Sequence, residues 1–125
     1  QDETGGFRAF ILWSFQSANT KLIAEYHHIK KQSPNRYLRL LAVSRLFLDN
    51  FKNIQSSWVT QGSYIGQLAL KFGANDLGST MMEENVVKAA GASYRMSQAQ
   101  MIELIKDIGV KSHNKLYIVN CQIVN

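Results

Sequence analysis

Residues 7–15 (FRAFILWSF) form an almost unbroken apolar run directly after Gly5-Gly6. A short run rich in aromatic and β-branched residues, opened by turn residues, predicts a buried β-strand. Residues 16–31 are mixed in character, with a helical stretch expected over 21–31. Ser33 then stands as an N-cap and Pro34 at the first helical position. Residues 36–51 carry apolar side chains at 37, 38, 40, 41, 42, 43, 46, 47, 48 and 51, which predicts a helix whose broad face packs into a larger structure.

The alternation continues downstream. Residues 53–59 (NIQSSWV) read as a second strand. Ile65, Leu68, Ala69 and Phe72 fall at helical spacing over 63–72, and Gly73 sits where a helix-ending glycine belongs. Residues 77–80 read as a short third strand. Thr80 with Glu83 has the spacing of a capping box for a helix over 83–90, closed by Gly91. Ser97 with Gln100 repeats the device before a helix over 101–108, closed by Gly109, and residues 115–124 read as a last strand. Strand–helix repetition of this kind predicts an α/β fold with parallel strands. A (β/α)8 TIM-type barrel takes roughly 250 residues, so the 125 residues here are expected to be a portion of one.

Composition narrows the function classes. Apolar residues make up 46% and charged residues 18% of the chain, a globular balance. No apolar run reaches the roughly 18 residues of a membrane span, and the acidic opening Gln1-Asp2-Glu3 lacks a secretory pattern. The lone Cys121 excludes an intrachain disulfide and fits a cytoplasmic location. The formal charge of +5 invites nucleic-acid binding, but the lysines and arginines are spread through every segment, without the basic stripe such binding needs. His27-His28 lacks the i, i+4 spacing of a helical metal pair. Gly62-x3-Gly66 lacks the lysine of a phosphate loop, and the methionines Met81, Met82 and Met96 read as packing.

Two blocks are more specific: TGGFRAFILWSFQSANTKL over residues 4–22, and NIQSSWVTQGSYIGQLALKFGANDLGSTMMEENVVKAAG over residues 53–91. With LRLLAVSRLFLDN between them, they resemble the C-terminal region of the radical S-adenosylmethionine enzymes of menaquinone and deazaflavin biosynthesis. The wording SWVTQG followed by GQLALKFGANDLGSTMMEENVV resembles the members that cyclise dehypoxanthine futalosine more than the aminofutalosine or deazaflavin-cofactor synthases. The resemblance implies a TIM-type barrel whose last three β/α units, C-terminal helix and tail are the present 125 residues. It also implies S-adenosylmethionine and a 4Fe-4S cluster as cofactors. Family members bind that cluster through three cysteines in a C-x3-C-x2-C loop, which needs thiolates this sequence lacks. The expectation is therefore an N-terminal, cluster-binding half of the barrel beyond these residues, and a chain inactive by itself. In the complete enzyme, reductive cleavage of S-adenosylmethionine would give a deoxyadenosyl radical that abstracts hydrogen from the ribose of the substrate before ring closure.

Barrel enzymes place function where strands end. Three such places stand out. After the first strand come Trp13, Ser14, Phe15 and Gln16, whose aromatic pair and carboxamide could flank a ring. After the second come Ser57, Trp58, Thr60 and Gln61. Strict alternation puts Ile54, Ser56 and Trp58 on one face and Gln55, Ser57 and Val59 on the other. Ser79 and Thr80 end the third, with Glu84 in the helix that follows. Asp76, preceding that strand, is expected at the opposite, stabilising end as a turn residue. A dry pocket lined by Trp13, Phe15 and Trp58 would shield a carbon radical. Competing expectations are a non-catalytic binding module and, for an incomplete sheet, a homodimer through exposed strand edges.

Overall fold

A computed structural model describes residues 1–17, 20–26, 29, 32–80, 94–109, 112–114 and 121–123. The helix expected over 83–90, its capping box, His27-His28, Met81 and Met82 lie outside the described residues. The chain is a small α/β domain. Its order is β1 (Ala9–Ile11), α1 (Lys21–Glu25), α2 (Pro34–Phe47), β2 (Asn53–Gln55), α3 (Trp58–Gln61), α4 (Ser63–Ala69), α5 (Gln98–Asp107), β3 (Ser112–Asn114) and β4 (Cys121–Ile123).

β1 and β2 pair in parallel, with Ala9 opposite Asn53, Phe10 opposite Ile54 and Ile11 opposite Gln55. A parallel bridge from Gln55 to Asp76 continues the pairing on the far side of β2. Strand–helix–strand connection and parallel pairing thus agree with the expectation from alternation. The strands are shorter than the apolar runs. β2 stops at Gln55 because the chain turns: the N–H groups of Thr60 and Gln61 both donate to Ser57 O, starting α3. β1 loses its neighbour at the same level and ends at Ile11. The third segment is a single bridge at Asp76, one residue ahead of the expected strand. There the Asp76 carboxylate accepts from Gly78 N–H at 2.7 Å and closes a turn instead of a ladder.

The helix ends follow the local signals. Ser33 Oγ accepts from Arg36 N–H at 3.3 Å, with Pro34 as first helical residue. The Ser97–Gln100 capping box is complete in both directions, so α5 begins at Gln98, three residues before the expected start. β3 and β4 pair antiparallel, and of the last strand expected over 115–124 the described residues 121–123 form β4.

One core holds these elements. Tyr37, Leu38 and Leu41 of α2 meet Ile54 of β2, Trp58 and Val59 of α3, Ala69, Leu70 and Leu77, and Met101 and Ile105 of α5. Phe51 stacks on Phe7 and meets Phe10 edge-on, closing the open side of β1. Arg45 ties the far side. Its Nε donates to Gly73 O at 2.7 Å, Nη1 to Phe51 O at 3.0 Å and Nη2 to Asn75 Oδ1 at 3.0 Å. Partial burial lowers the pKa of the guanidinium, by desolvation. Gly73 has φ +107, and a Cβ there would lie 2.6 Å from Arg45 Cβ, so both backbone and space demand glycine.

Two stability outcomes follow. Arg45→Met keeps the aliphatic stem but takes the donor from Gly73 O and Phe51 O and one of two from Asn75 Oδ1; it is expected to cost about 2–3 kcal/mol in urea denaturation of the full-length protein. A loss below about 0.5 kcal/mol would show that water replaces the guanidinium freely. Tyr37→Phe deprives the buried Ser57 N–H of its acceptor and is expected to cost about 1–3 kcal/mol. Burial raises the Tyr37 pKa, while hydrogen bonds at Ser57 and Ser56 pull it back. A raised tyrosine pKa favours the folded state fully below the unfolded value of about 10, and the benefit fades as pH climbs through the folded value. The stability gap between wild type and Tyr37→Phe should therefore be flat at neutral pH and shrink in strong alkali. A gap that widens there would contradict this assignment.

Candidate functional site

The carboxyl ends of parallel strands are where loops can gather around a ligand. Here three segments converge at that end: the residues after β1, the β2–α3 turn, and the residues around Asp76. Two hydrogen bonds stitch the first two together. Ser57 Oγ donates to Leu12 O at 2.5 Å, and Gln61 Nε2 donates to Ser14 Oγ at 2.7 Å. Tyr37, reaching up from α2, accepts from Ser57 N–H at 2.9 Å. Ser57 is thus fixed through both its backbone and its hydroxyl, while Thr60 Oγ1 donates back to Ser57 O at 3.1 Å.

The expected site residues divide into two groups. Ser57, Thr60 and Gln61 come together at the strand ends, with Ser57 and Thr60 buried. Trp58 is 1% exposed and lies in the core. Trp13 and Phe15 are 52% and 39% exposed, so these three aromatic side chains do not enclose a common dry pocket in this chain. The reason is the turn into α3, which replaces strand alternation and buries residues 56–60 consecutively. Gln16 is half-buried and donates to Ser14 O at 3.0 Å. Ser79 and Thr80 are half-buried, just past the Asp76 turn. Glu84 lies outside the described residues.

Asp76 is placed differently from the expectation. It is level with Gln55, the last residue of β2, and therefore at the carboxyl end of the sheet, not the opposite one. It is buried, its carbonyl accepts from Ser56 N–H at 2.8 Å, and its carboxylate holds Gly78 N–H. Its expected role as a turn residue holds, since its carboxylate closes the turn to Gly78; only its level differs, because the bridge to β2 forms at Asp76 itself and no strand starts at Leu77. Ser14, expected with Trp13, Phe15 and Gln16 after the first strand, is a structural member of the site. Tyr37 is another, which patterning assigned elsewhere, as one of ten apolar positions over residues 36–51.

Beside Gln61 lies a cleft of about 310 Å³, lined among the described residues by Gln32, Pro34, Thr60, Gln61 and Tyr94. Gly62, which joins α3 to α4, has φ +88, and the Tyr94 ring comes within 3.3 Å of where its Cβ would be. No grouping of three His, Cys, Asp or Glu side chains suited to a metal occurs among the described residues. None of the described helices is long and apolar enough to cross a membrane.

Residues 4–121 match the model of the CofH/MqnC C-terminal region. The chain is 50% identical over 109 residues to cyclic dehypoxanthine futalosine synthase of Halalkalibacterium halodurans, covering 87% of this chain and 28% of that protein. It is 47% identical over 112 residues to the same-named protein of Streptomyces coelicolor, covering 87% and 26%. It is 44% identical over 111 residues to the 5-amino-6-(D-ribitylamino)uracil–L-tyrosine 4-hydroxyphenyl transferase of Methanosphaerula palustris, covering 87% and 30%. The chain thus spans between about a quarter and a third of the length of these curated relatives. With nearly all of its residues matched by the family model, the chain belongs to the CofH/MqnC C-terminal region family.

Proposed function

We propose that this chain is part of a radical S-adenosylmethionine enzyme that cyclises dehypoxanthine futalosine to cyclic dehypoxanthine futalosine, in the futalosine route to menaquinone. The carrying observation is the 50% identity to a cyclic dehypoxanthine futalosine synthase over 87% of the chain. The α/β architecture of this chain and the ligand-sized cleft at the strand ends are consistent with it. A cytoplasmic location and a (β/α)8 barrel for the complete protein belong to the same reading.

The family's cofactors are S-adenosylmethionine and a four-iron cluster. The residues of this chain do not fit the cluster: Cys121 is its single cysteine, and such clusters are held by several thiolates. The cluster is therefore assigned to residues outside these 125, and no step is derived through it. What these residues do is orient and shield. Ser57 and Gln61 lock the β1 and β2 ends into one wall. Trp58 and Val59 keep the wall's back dry. Fixed polar groups on a rigid wall hold a reacting substrate in place at low entropic cost.

A second reading has a specific observation behind it. The 44% identity to the hydroxyphenyl transferase of Methanosphaerula palustris makes a tyrosine-dependent deazaflavin-forming activity the alternative. Anaerobic assay of the full-length protein with S-adenosylmethionine and a reductant separates the two. Conversion of dehypoxanthine futalosine is expected, with none of 5-amino-6-(D-ribitylamino)uracil plus tyrosine; the reverse pattern would replace the first reading by the second. Cys121→Ser in the full-length protein should leave iron and sulfide content at the wild-type value. A drop by about a cluster's worth would place Cys121 among the ligands.

A further inference from the structure

Among the described residues, the cleft beside Gln61 is built from the start of α2, the end of α3 and the segment ahead of α5. Gln32 and Pro34 lie where the chain enters α2, and Thr60 and Gln61 in the turn of chain between β2 and α4. Tyr94 closes the rim from the segment ahead of α5. This is the end of a parallel sheet at which ligands bind. The lining is chemically distinctive. It offers two carboxamides, a hydroxyl and a phenol, and none of the five side chains carries a formal charge. Among the described residues, these five side chains suit a neutral, polyhydroxylated group: they offer hydrogen bonds but no counter-charge to a carboxylate, a phosphate or a cation.

Tyr94 is the residue with a face to offer. Its ring is seated on the bare Cα of Gly62, with two ring carbons 3.3 Å from the absent Cβ position. It is nevertheless 50% exposed. Gln61 is held in place by its bond to Ser14 at 2.7 Å, which uses one amide hydrogen and leaves the other hydrogen and the carbonyl oxygen of the carboxamide. A positioned ring opposite a positioned carboxamide is a small, preformed recognition site.

We propose that this cleft is the subsite for the neutral sugar portion of the substrate, with Tyr94 packing its ring against that sugar and Gln61 hydrogen-bonding to it. The proposal rests on the cyclase reading above for the identity of the substrate. Its test is the dissociation constant of dehypoxanthine futalosine for the full-length protein, measured by equilibrium dialysis without S-adenosylmethionine or reductant. Tyr94→Ala is expected to weaken binding by about five-fold or more, while Tyr94→Phe stays within about two-fold of wild type, since the ring and not the hydroxyl makes the contact. Tyr94→Ala also removes the packing on Gly62, so binding is compared well below its melting temperature, where the variant is folded; weakened binding there, restored in Tyr94→Phe, is what a merely structural role would not give. Equal affinity of Tyr94→Ala and wild type overturns the proposal. Turnover of the wild type, assayed separately, reports on the cyclase reading. A wild type that binds without turning over defeats that reading and leaves the Tyr94 comparison decisive, whereas a wild type that fails to bind overturns both.

Discussion

The position of the chain after Gly73 beside β2 is the constraint on which the strand ends depend, and Arg45 with Asn75 imposes it. Asn75 uses its side chain as a strand would use its backbone. Its Oδ1 accepts from Ile54 N–H at 2.8 Å, its own N–H donates to Ile54 O at 3.0 Å, and its Nδ2 donates to Lys52 O. The next residue carries the pattern on, because Asp76 O accepts from Ser56 N–H. Arg45 fixes the Asn75 carboxamide by donating to the same Oδ1. A charged donor in a partly buried place is tolerable because three oxygens surround it. Through this network one helix, one strand and one irregular segment acquire a common register, and Asp76 comes level with Gln55.

From that register the site assembles in a definite order. Ile54 lies between Phe10 and Asn75, so both neighbours of β2 are placed before the chain turns at Ser57. The turn then collects Tyr37 from α2 and Leu12 from the end of β1. Polar residues inside an apolar setting need partners, and the two serines find them in backbone: Ser56 in Gly66 O, Ser57 in Leu12 O. Their hydroxyls hold the scaffold, while Thr60 and Gln61, one step further on, line the cleft.

Legibility in the sequence tracked the range of the forces involved. The caps at Ser33 and Ser97 involve contacts three residues apart, and both were readable as short motifs. The alternation of strand and helix, and with it the parallel pairing, followed from apolar periodicity. The length of β2 did not, since NIQSSWV suits a strand and only the long-range bond from Ser57 to Tyr37 and the bend into α3 decide otherwise. The same bend carried Trp58 into the core, whereas its place after a strand had suggested a ligand pocket with Trp13 and Phe15. Thr60 and Gln61 were legible as site candidates because they follow a strand. Tyr94 was not, because its place depends on a glycine 32 positions earlier in the chain.

Gly66 shows how little slack the scaffold has. A Cβ there would lie 2.5 Å from Trp58 Cβ and 3.2 Å from Trp58 Cα, so α4 already rests on the main chain of α3. Helices that touch through side chains can yield by changing rotamers; these two have only a hydrogen atom between them. The spacing of α3 and α4 is therefore set like a hard stop rather than a spring. Any enlargement at position 66 must be taken up by moving a whole element, and the element at hand is the one that carries Thr60 and Gln61.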